Sequence, residues 1–249
     1  MPLRNDHFSS RAARYAECRP GYAPELADWL SSIAPGRDLA WDVGCGSGQM
    51  SVLLGDRFQR VVASDGSVAQ LAHARRHARV DYVAATAEAA ALAERTADLI
   101  VVAQAAHWFE LPRFFAEARR VARPGAAIAL VGYGNAVLDE PALQQRFLRF
   151  YDDEVGAFWP PERALIEDAY RSIPFPFEEI EAPTFQLRER WTVEQMLGYI
   201  ETWSAVRLFE RSGGDRRVVQ GFAQELRELW GAAKRDVSWP VPIRAGRVT

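Results

Sequence analysis

The residues of this chain with the clearest chemical meaning are Asp42, then Gly44, Gly46 and Gly48, then Asp65. Leu39-Ala40-Trp41 is a short apolar run that ends in the Asp42 carboxylate, and Met50-Ser51-Val52-Leu53-Leu54 after the glycines reads as the start of a helix. Strand, tight glycine turn and helix in that order let a ligand approach the main chain, because glycine accepts φ > 0 and carries no side chain. Asp65 ends a second apolar run, Arg60 to Ser64, where an open α/β sheet places a group that binds ribose hydroxyls. The glycine spacing separates two ligand classes. A dinucleotide turn uses G-x-G-x-x-G beside a pyrophosphate, whereas Gly44-Cys45-Gly46-Ser47-Gly48 is G-x-G-x-G and follows an acid. An acid there suits a cationic amino acid better than a pyrophosphate. The pattern points to S-adenosylmethionine. A helix-entry turn that binds nothing would account for Gly48 but not for the two acids.

The elements that must position these residues alternate. Strands are expected at 39–43, 60–64, 80–84, 98–103 and 126–131, with helices at 25–33, 49–56, 68–77 and 112–121. Such alternation means a doubly wound parallel sheet. Segments 61–63, 99–103 and 127–131 are nearly all apolar, as when helices cover both sheet faces. After Tyr133 the pattern changes. Helices are expected over 142–155 and 164–170, a strand from Phe175 towards Trp191, helices near 193–203 and 216–233, and a last strand around 237–248. The expected fold class is α/β: a Rossmann-like, doubly wound seven-stranded sheet, mostly parallel with an antiparallel last strand, plus a helical lid insertion after the fifth strand. The single domain, 1–249, divides into an N-terminal arm or lid (1–24), a cofactor-binding core (25–133), the helical insertion (134–172) and a part that completes the sheet (173–249). Ligands in such sheets sit outside the carboxyl ends of the strands, where the insertion would cover them.

With 249 residues, 49% hydrophobic and 25% charged, the composition suits one globular domain. A net charge of −3 gives no global field to gather nucleic acid or an anionic membrane. Lys234 is the one lysine among 30 basic residues. Cys18 and Cys45 lack the spacing of a disulfide framework, which favours a reducing compartment. No run reaches the length of a transmembrane helix, and the first ten residues hold no signal-type apolar stretch. The expectation is a cytoplasmic monomer or homodimer with neither nucleic acid nor membrane as partner.

The block Asp42-Val43-Gly44-Cys45-Gly46-Ser47-Gly48 resembles the class I S-adenosylmethionine-dependent methyltransferases, in the ubiquinone/menaquinone-type (type 11) group. Tyr15, Arg19-Pro20-Gly21-Tyr22, Ala87-Glu88, Gln104-Ala105-Ala106-His107-Trp108-Phe109 and Thr202-Trp203-Ser204-Ala205-Val206 look like the trans-aconitate methyltransferase-like branch. The resemblance implies S-adenosyl-L-methionine as cofactor, S-adenosyl-L-homocysteine as product, and no metal. It implies that Asp42, Gly44 and Gly46, with Cys45 between them, hold the methionine part. Asp65 would accept from both ribose hydroxyls, and Gly66 and Ser67 would line that edge. Where the wider group often sets an Asp against the adenine amine, this chain has Thr86. The backbone N–H of Ala87, beside Glu88, would instead donate to the adenine ring. Gln104 and Ala105 would border the position of methyl transfer.

His107 and Trp108 follow the fourth strand and are the candidate catalytic residues. His107 could serve as a general base, since a histidine pKa ordinarily lies near neutral. Trp108 could stack on substrate and screen the sulfonium from water. A hydrogen-bonded structural histidine and a core tryptophan account for the same residues, and both readings stay open. Candidate substrate contacts are Tyr15, Arg19, Tyr133, Arg163, Trp203 and Arg207, because guanidinium forks match carboxylates and aromatic side chains line apolar pockets. Arg11, Arg14, Tyr15 and Cys18 share one helix face, an arm that would close the pocket. His73 and His77, four apart with no acid between them, read as solvated surface rather than metal ligands. The expected reaction is methylation of a small molecule, leaning to O-methylation of a carboxylic acid. A C-, N- or phenol O-methyltransferase and a non-catalytic S-adenosylmethionine-binding module remain alternatives. The glycine spacing argues against an NAD-dependent oxidoreductase. Gln104-Ala105-Ala106-His107 stands where a nucleic-acid methylase would have an Asn/Asp-Pro-Pro-aromatic motif.

Overall fold

The structure, a computed structural model, describes residues 19–248. Arg11, Arg14, Tyr15 and Cys18 of the expected arm lie outside the described residues. The first half alternates as α1 (Pro24–Ser32), β1 (Leu39–Val43), α2 (Gln49–Gly55), β2 (Arg60–Asp65), α3 (Val68–Leu71), β3 (Val80–Ala84), β4 (Ala97–Ala103), α4 (Leu111–Val121) and β5 (Ala122–Val131). Next come β6 (Val137–Leu138), α5 (Pro141–Arg149), α6 (Arg163–Glu167), β7 (Glu178–Ile180) and β8 (Phe185–Trp191). The chain ends with α7 (Val193–Glu201), α8 (Ser204–Arg211), α9 (Arg216–Trp230), β9 (Arg235–Val241) and β10 (Ile243–Arg247).

A seven-stranded sheet has the order β3-β2-β1-β4-β5-β10-β7. Strands β1 to β5 pair in parallel, and β10 runs antiparallel to both β5 and β7. This is the expected Rossmann-like sheet. The strand order reverses between β1 and β4, which opens a crevice at the carboxyl ends there. Successive side chains of a strand point to opposite faces. Ala40, Val61, Leu99 and Val101 therefore join the apolar cluster with Leu26 and Leu30 of α1 and Met50 and Leu54 of α2. Trp41, Val43, Ile100 and Val102 join the other cluster with Phe114, Ala118 and Val121 of α4. Each large apolar side chain so buried contributes about 1.5–3 kcal/mol. At the amino ends, buried Asp98 accepts from the N–H groups of Asp38 (2.9 Å) and Leu39 (3.1 Å) and from Arg123 Nη1 (2.8 Å). One carboxylate thus ties the start of β1 to β4 and to the β5 strand that carries Arg123.

Four sequence expectations need correction. Helix α3 stops at Leu71 instead of running to 77. The residues His73-Ala74-Arg75-Arg76-His77 offer no apolar stripe, and loop contacts replace the helix: Arg75 N–H donates to Ser47 O (3.0 Å) and the Tyr82 hydroxyl to Arg75 O (2.6 Å). His73 and His77 therefore share no helix face. The strand expected from Phe175 to Trp191 is two strands in different sheets, broken around Pro183. The last strand is also two, split at Pro242, which has no N–H for a ladder. Finally, β6, β9 and β8 form a second, antiparallel sheet, and α8 is an additional helix. Helix α5 continues through a π turn, Phe150–Glu154. That turn stacks Phe150 on Phe222 at 3.9 Å and sets Tyr151 4.8 Å from Trp159 and 5.5 Å from Trp203.

Candidate active site

The turn after β1 holds Gly44, Gly46 and Gly48 at φ of 68°, 55° and 77°. Their surroundings differ. A Cβ on Gly48 would meet Tyr82 Oη at 2.1 Å, and one on Gly44 would meet Ala105 Cβ at 2.6 Å. A Cβ on Gly46 would meet nothing within 4 Å. Gly44 and Gly46 both border a cavity, but only Gly46 leaves room there for a Cβ, while Gly48 is packed against Tyr82. The N–H groups of Gly44 and Cys45 both donate to Ser64 O (2.8 and 3.0 Å). Asp65 completes the turn, since Oδ2 accepts from Gly46 N–H (2.8 Å) and Oδ1 from Ser67 N–H (2.7 Å). Burial raises the Asp65 pKa against the pull of those two bonds. Each carboxylate oxygen accepts more than one hydrogen bond, so capacity remains for hydroxyl donors.

Asp42 lies one layer behind the turn. It is fully buried; Oδ2 accepts from Ser51 Oγ (2.5 Å), and Oδ1 meets no partner among the described residues. Burial above all pushes its carboxyl up to about 7, with the Ser51 bond opposing and Asp65 adding to the rise. Burial, then the charges of Asp42 and Asp65, push the Cys45 thiol up. It stays protonated and is no nucleophile.

The cavity in front of the turn has a volume of about 260 Å³ and lies at the carboxyl ends of β1, β2 and β4. Every expected cofactor contact except Asp42 lines it. Glu88 also accepts from Glu110 N–H (2.9 Å), which fixes the start of α4. Tyr22, Gln49, Met50, Gln70 and Phe109 line the cavity too and were missed as contacts. Tyr22 and Phe109 stood within quoted motifs and Gln49 and Met50 follow the glycine turn directly. Gln70 gives no local signal.

A smaller cavity of about 50 Å³ adjoins it, and Arg19, Gln104 and Trp108 line both. His107, Arg163, Trp203 and Arg207 line the smaller one, along with Trp159 and Tyr199. Among the described residues lining it stand three arginines and no carboxylate. Tyr133, expected as a substrate contact, instead lines the larger cavity, and its hydroxyl accepts from Arg19 Nη1 (2.7 Å). Tyr15 lies outside the described residues.

Gln104 holds the wall between the cavities at φ 58°, unusual for a residue with a side chain. Such a conformation costs on the order of 1–3 kcal/mol and persists where the surroundings over-determine it. Here Gln104 N–H donates to Val131 O (2.7 Å), Oε1 accepts from Tyr133 N–H (2.8 Å), and Nε2 donates to Tyr133 O (3.2 Å). His107 is buried, with Nδ1 3.5 Å from the Tyr170 hydroxyl and its ring 4.7 Å from that of Trp108. Burial first, then the charges of Arg163 and Arg19, drive its pKa down to about 3. The imidazole is neutral at pH 7 and weakly basic. Among the described residues, no cluster of His, Cys, Asp or Glu could hold a metal ion. No helix among them is long and apolar enough to cross a membrane.

A family model described as a methyltransferase domain matches residues 41–130. A Dictyostelium discoideum protein that bears a methyltransferase name is 34% identical over 245 residues, covering 95% of this chain and 93% of its own. A Saccharomyces cerevisiae protein named as an S-adenosylmethionine-dependent methyltransferase is 26% identical over 275 residues, covering 96% and 93%. A solved structure from Anaeromyxobacter dehalogenans, titled a type II methyltransferase, superimposes with a TM-score of 0.84 at 45% identity, covering 92% of this chain and 98% of that one.

Proposed function

The chain belongs to the methyltransferase family, and from that premise we propose that it methylates a carboxylate oxygen of a small acid, using S-adenosylmethionine. The observation that carries the acceptor class is the smaller cavity, with three arginines and no carboxylate among its described lining residues. The resemblance to the trans-aconitate methyltransferase-like branch leans the same way.

The larger cavity fits the cofactor. Gly46 leaves open the space a Cβ would fill, Asp65 offers acceptor capacity to ribose hydroxyls, and buried Asp42 keeps one oxygen unpartnered behind the turn. When bound, S-adenosylmethionine supplies an electrophilic methyl group on a sulfonium. Arg163 and Arg207 would hold the acceptor carboxylate as guanidinium forks do. Gln104 and Trp108, which line both cavities, would fix the line of approach and exclude water between them. Alignment of two reactants contributes several kcal/mol to lowering a barrier. A carboxylate acceptor is already deprotonated. His107, with a pKa of about 3, is a poor match for general-base work near neutral pH, which supports an acceptor that needs no base.

The test is methyl release with a panel of mono-, di- and tricarboxylic acids, phenols and amines. The expected best acceptors are acids, with Arg163→Gln and Arg207→Gln each costing about tenfold or more in kcat/KM, the loss of one charged hydrogen bond. Preference for a phenol or amine, with a large pH-dependent loss of kcat in His107→Asn, overturns the reading. Tight cofactor binding without any turnover would instead mark a binding module.

A further inference from the structure

We infer that Tyr151, Asn135 and Glu167 are positioning residues that lock the Arg163 guanidinium in one pose, making it the fixed anion clamp of the smaller cavity. The inference rests on the reading of that cavity as the site of an anionic acceptor. An arginine only donates and an ionised carboxylate only accepts, so the directions of the bonds here are determined. Arg163 Nε donates to Tyr151 Oη (2.9 Å), and the Tyr151 hydroxyl commits its hydrogen to Glu167 Oε1 (2.6 Å). Arg163 Nη2 donates to Asn135 Oδ1 (2.7 Å). The guanidinium also lies 4.9 Å from the Trp159 ring and 5.6 Å from that of Tyr151, a cation–π placement.

Three parts of the chain meet to build this lock. Tyr151 comes from the π turn, Arg163 and Glu167 from successive turns of α6, and Asn135 from the segment after β5. A π turn inside a helix often marks a functional position. Trp159 Nε1 donates to Tyr151 O (3.2 Å), and the Tyr151 ring packs on those of Trp159 and Trp203. The tyrosine is therefore as fixed as the arginine it holds. Glu167 acts mainly through the Tyr151 hydroxyl, since its own approach to Arg163 Nε is 3.6 Å. These contacts use the Nε edge, Nη2 and a ring face. Nη1 meets no hydrogen-bond acceptor among the described residues, in a side chain that lines the cavity. The rotamer freedom a loose arginine would lose on gripping an anion is thus already lost before the ligand arrives.

The experiment compares Tyr151→Phe, Glu167→Ala and Glu167→Gln in the full chain. Glutamine keeps an acceptor oxygen for the Tyr151 hydroxyl, so Glu167→Gln is the conservative rescue. The first readout is the Arg163 Nε–H resonance in protein labelled with ¹⁵N-arginine, which needs no acceptor. It is expected as a distinct, slowly exchanging signal in the wild type and Glu167→Gln, and lost or broadened in the other two. The second readout is methyl transfer to the panel of simple carboxylic acids. KM for the acid should rise about tenfold in Tyr151→Phe and Glu167→Ala, as for an oriented bond to a charged group. In Glu167→Gln it should stay near wild type, and in all three kcat and S-adenosylmethionine affinity should be unchanged. An equally protected resonance in Tyr151→Phe, or an unchanged KM there, overturns the lock, as does a parallel fall in kcat and cofactor affinity. If no acid is methylated while the resonance pattern holds, the carboxylate reading falls and the lock stands on the resonance alone.

Discussion

Gly46 and Gly48 sit two residues apart in one turn and should fail in different ways when each is given a methyl group. Gly48→Ala drives a Cβ onto Tyr82 at positive φ, and overpacking of that kind costs about 1–3 kcal/mol, so a lower urea midpoint is expected. Gly46→Ala meets open space; its φ penalty is about 1–2 kcal/mol, and its main effect should be weaker S-adenosylmethionine binding in calorimetry. Cofactor affinity that survives in Gly46→Ala would contradict the placement of the ligand. His107 makes a second prediction at this scale. Its folded pKa of about 3 lies below the ordinary value of 6.5, so the unfolded chain takes up the proton first as pH falls. Stability should therefore drop from about pH 6.5 towards 3, by up to about 1.4 kcal/mol per pH unit from this one group. Asp42 works in the opposite sense. Its raised pKa of about 7 keeps the proton in the folded state, and stability from this group is lost as pH rises from about 4 to 7. Urea melts of His107→Gln and Asp42→Asn across that range should show a flatter acid limb for the first and a flatter rise-side loss for the second. The glycine turn and Asp65 could be read from the sequence because a positive-φ turn leaves its mark within a few residues. Asn135 and Tyr151 could not, because nothing local tells an asparagine or tyrosine that an arginine will fold back onto it.

Among the elements, β1, β2, β4 and β5 of the large sheet were legible because each contains a bounded apolar run, and β1 shows why: all five of its residues are buried. Where a strand is too short to carry a pattern of its own, the reading failed. Strand β6 is two residues long and exists through its pairing with β9, and no periodicity reveals a strand that short. The π turn was hidden for a different reason, since a helical stripe continues through it. Its extra residue per turn appears only once Phe150 has to meet Phe222. The Asp98 junction is the element-scale prediction. Asp98→Ala removes the acceptor of two backbone N–H groups and the buried partner of Arg123. The Arg123 side chain is 38% exposed and keeps Asp38 at 3.0 Å, so the main cost is that of the orphaned N–H groups, about 1–3 kcal/mol, and equilibrium urea unfolding should show it. A loss below about 1 kcal/mol, the size of a surface pair, would mean that β1 and β4 are not held through this carboxylate.

For the whole molecule, a ligand that binds the folded state stabilises it by mass action, by about 2.7 kcal/mol at a hundred times its Kd. S-Adenosylmethionine and S-adenosylhomocysteine should raise Tm and NAD should not, and Asp65→Ala should diminish the shift through the loss of about 1.5–3 kcal/mol of charged hydrogen bonding. A Tm raised by NAD would remove the cofactor assignment. The two cavities also draw on separate stretches of chain. Apart from Arg19, Tyr22 and Tyr133, the larger is lined from 44–109, while the smaller takes most of its remaining wall from 159–207. Arg19, Gln104 and Trp108 are common to both. Inheritance can therefore act on the two walls separately. Substitutions in 159–207 could retune which acceptor is served without disturbing the donor, so lineages descended from a common ancestor of this chain should diverge in substrate faster than in cofactor. The shared partition would be the slowest part of all to change, because an altered Gln104 or Trp108 is felt on both sides at once.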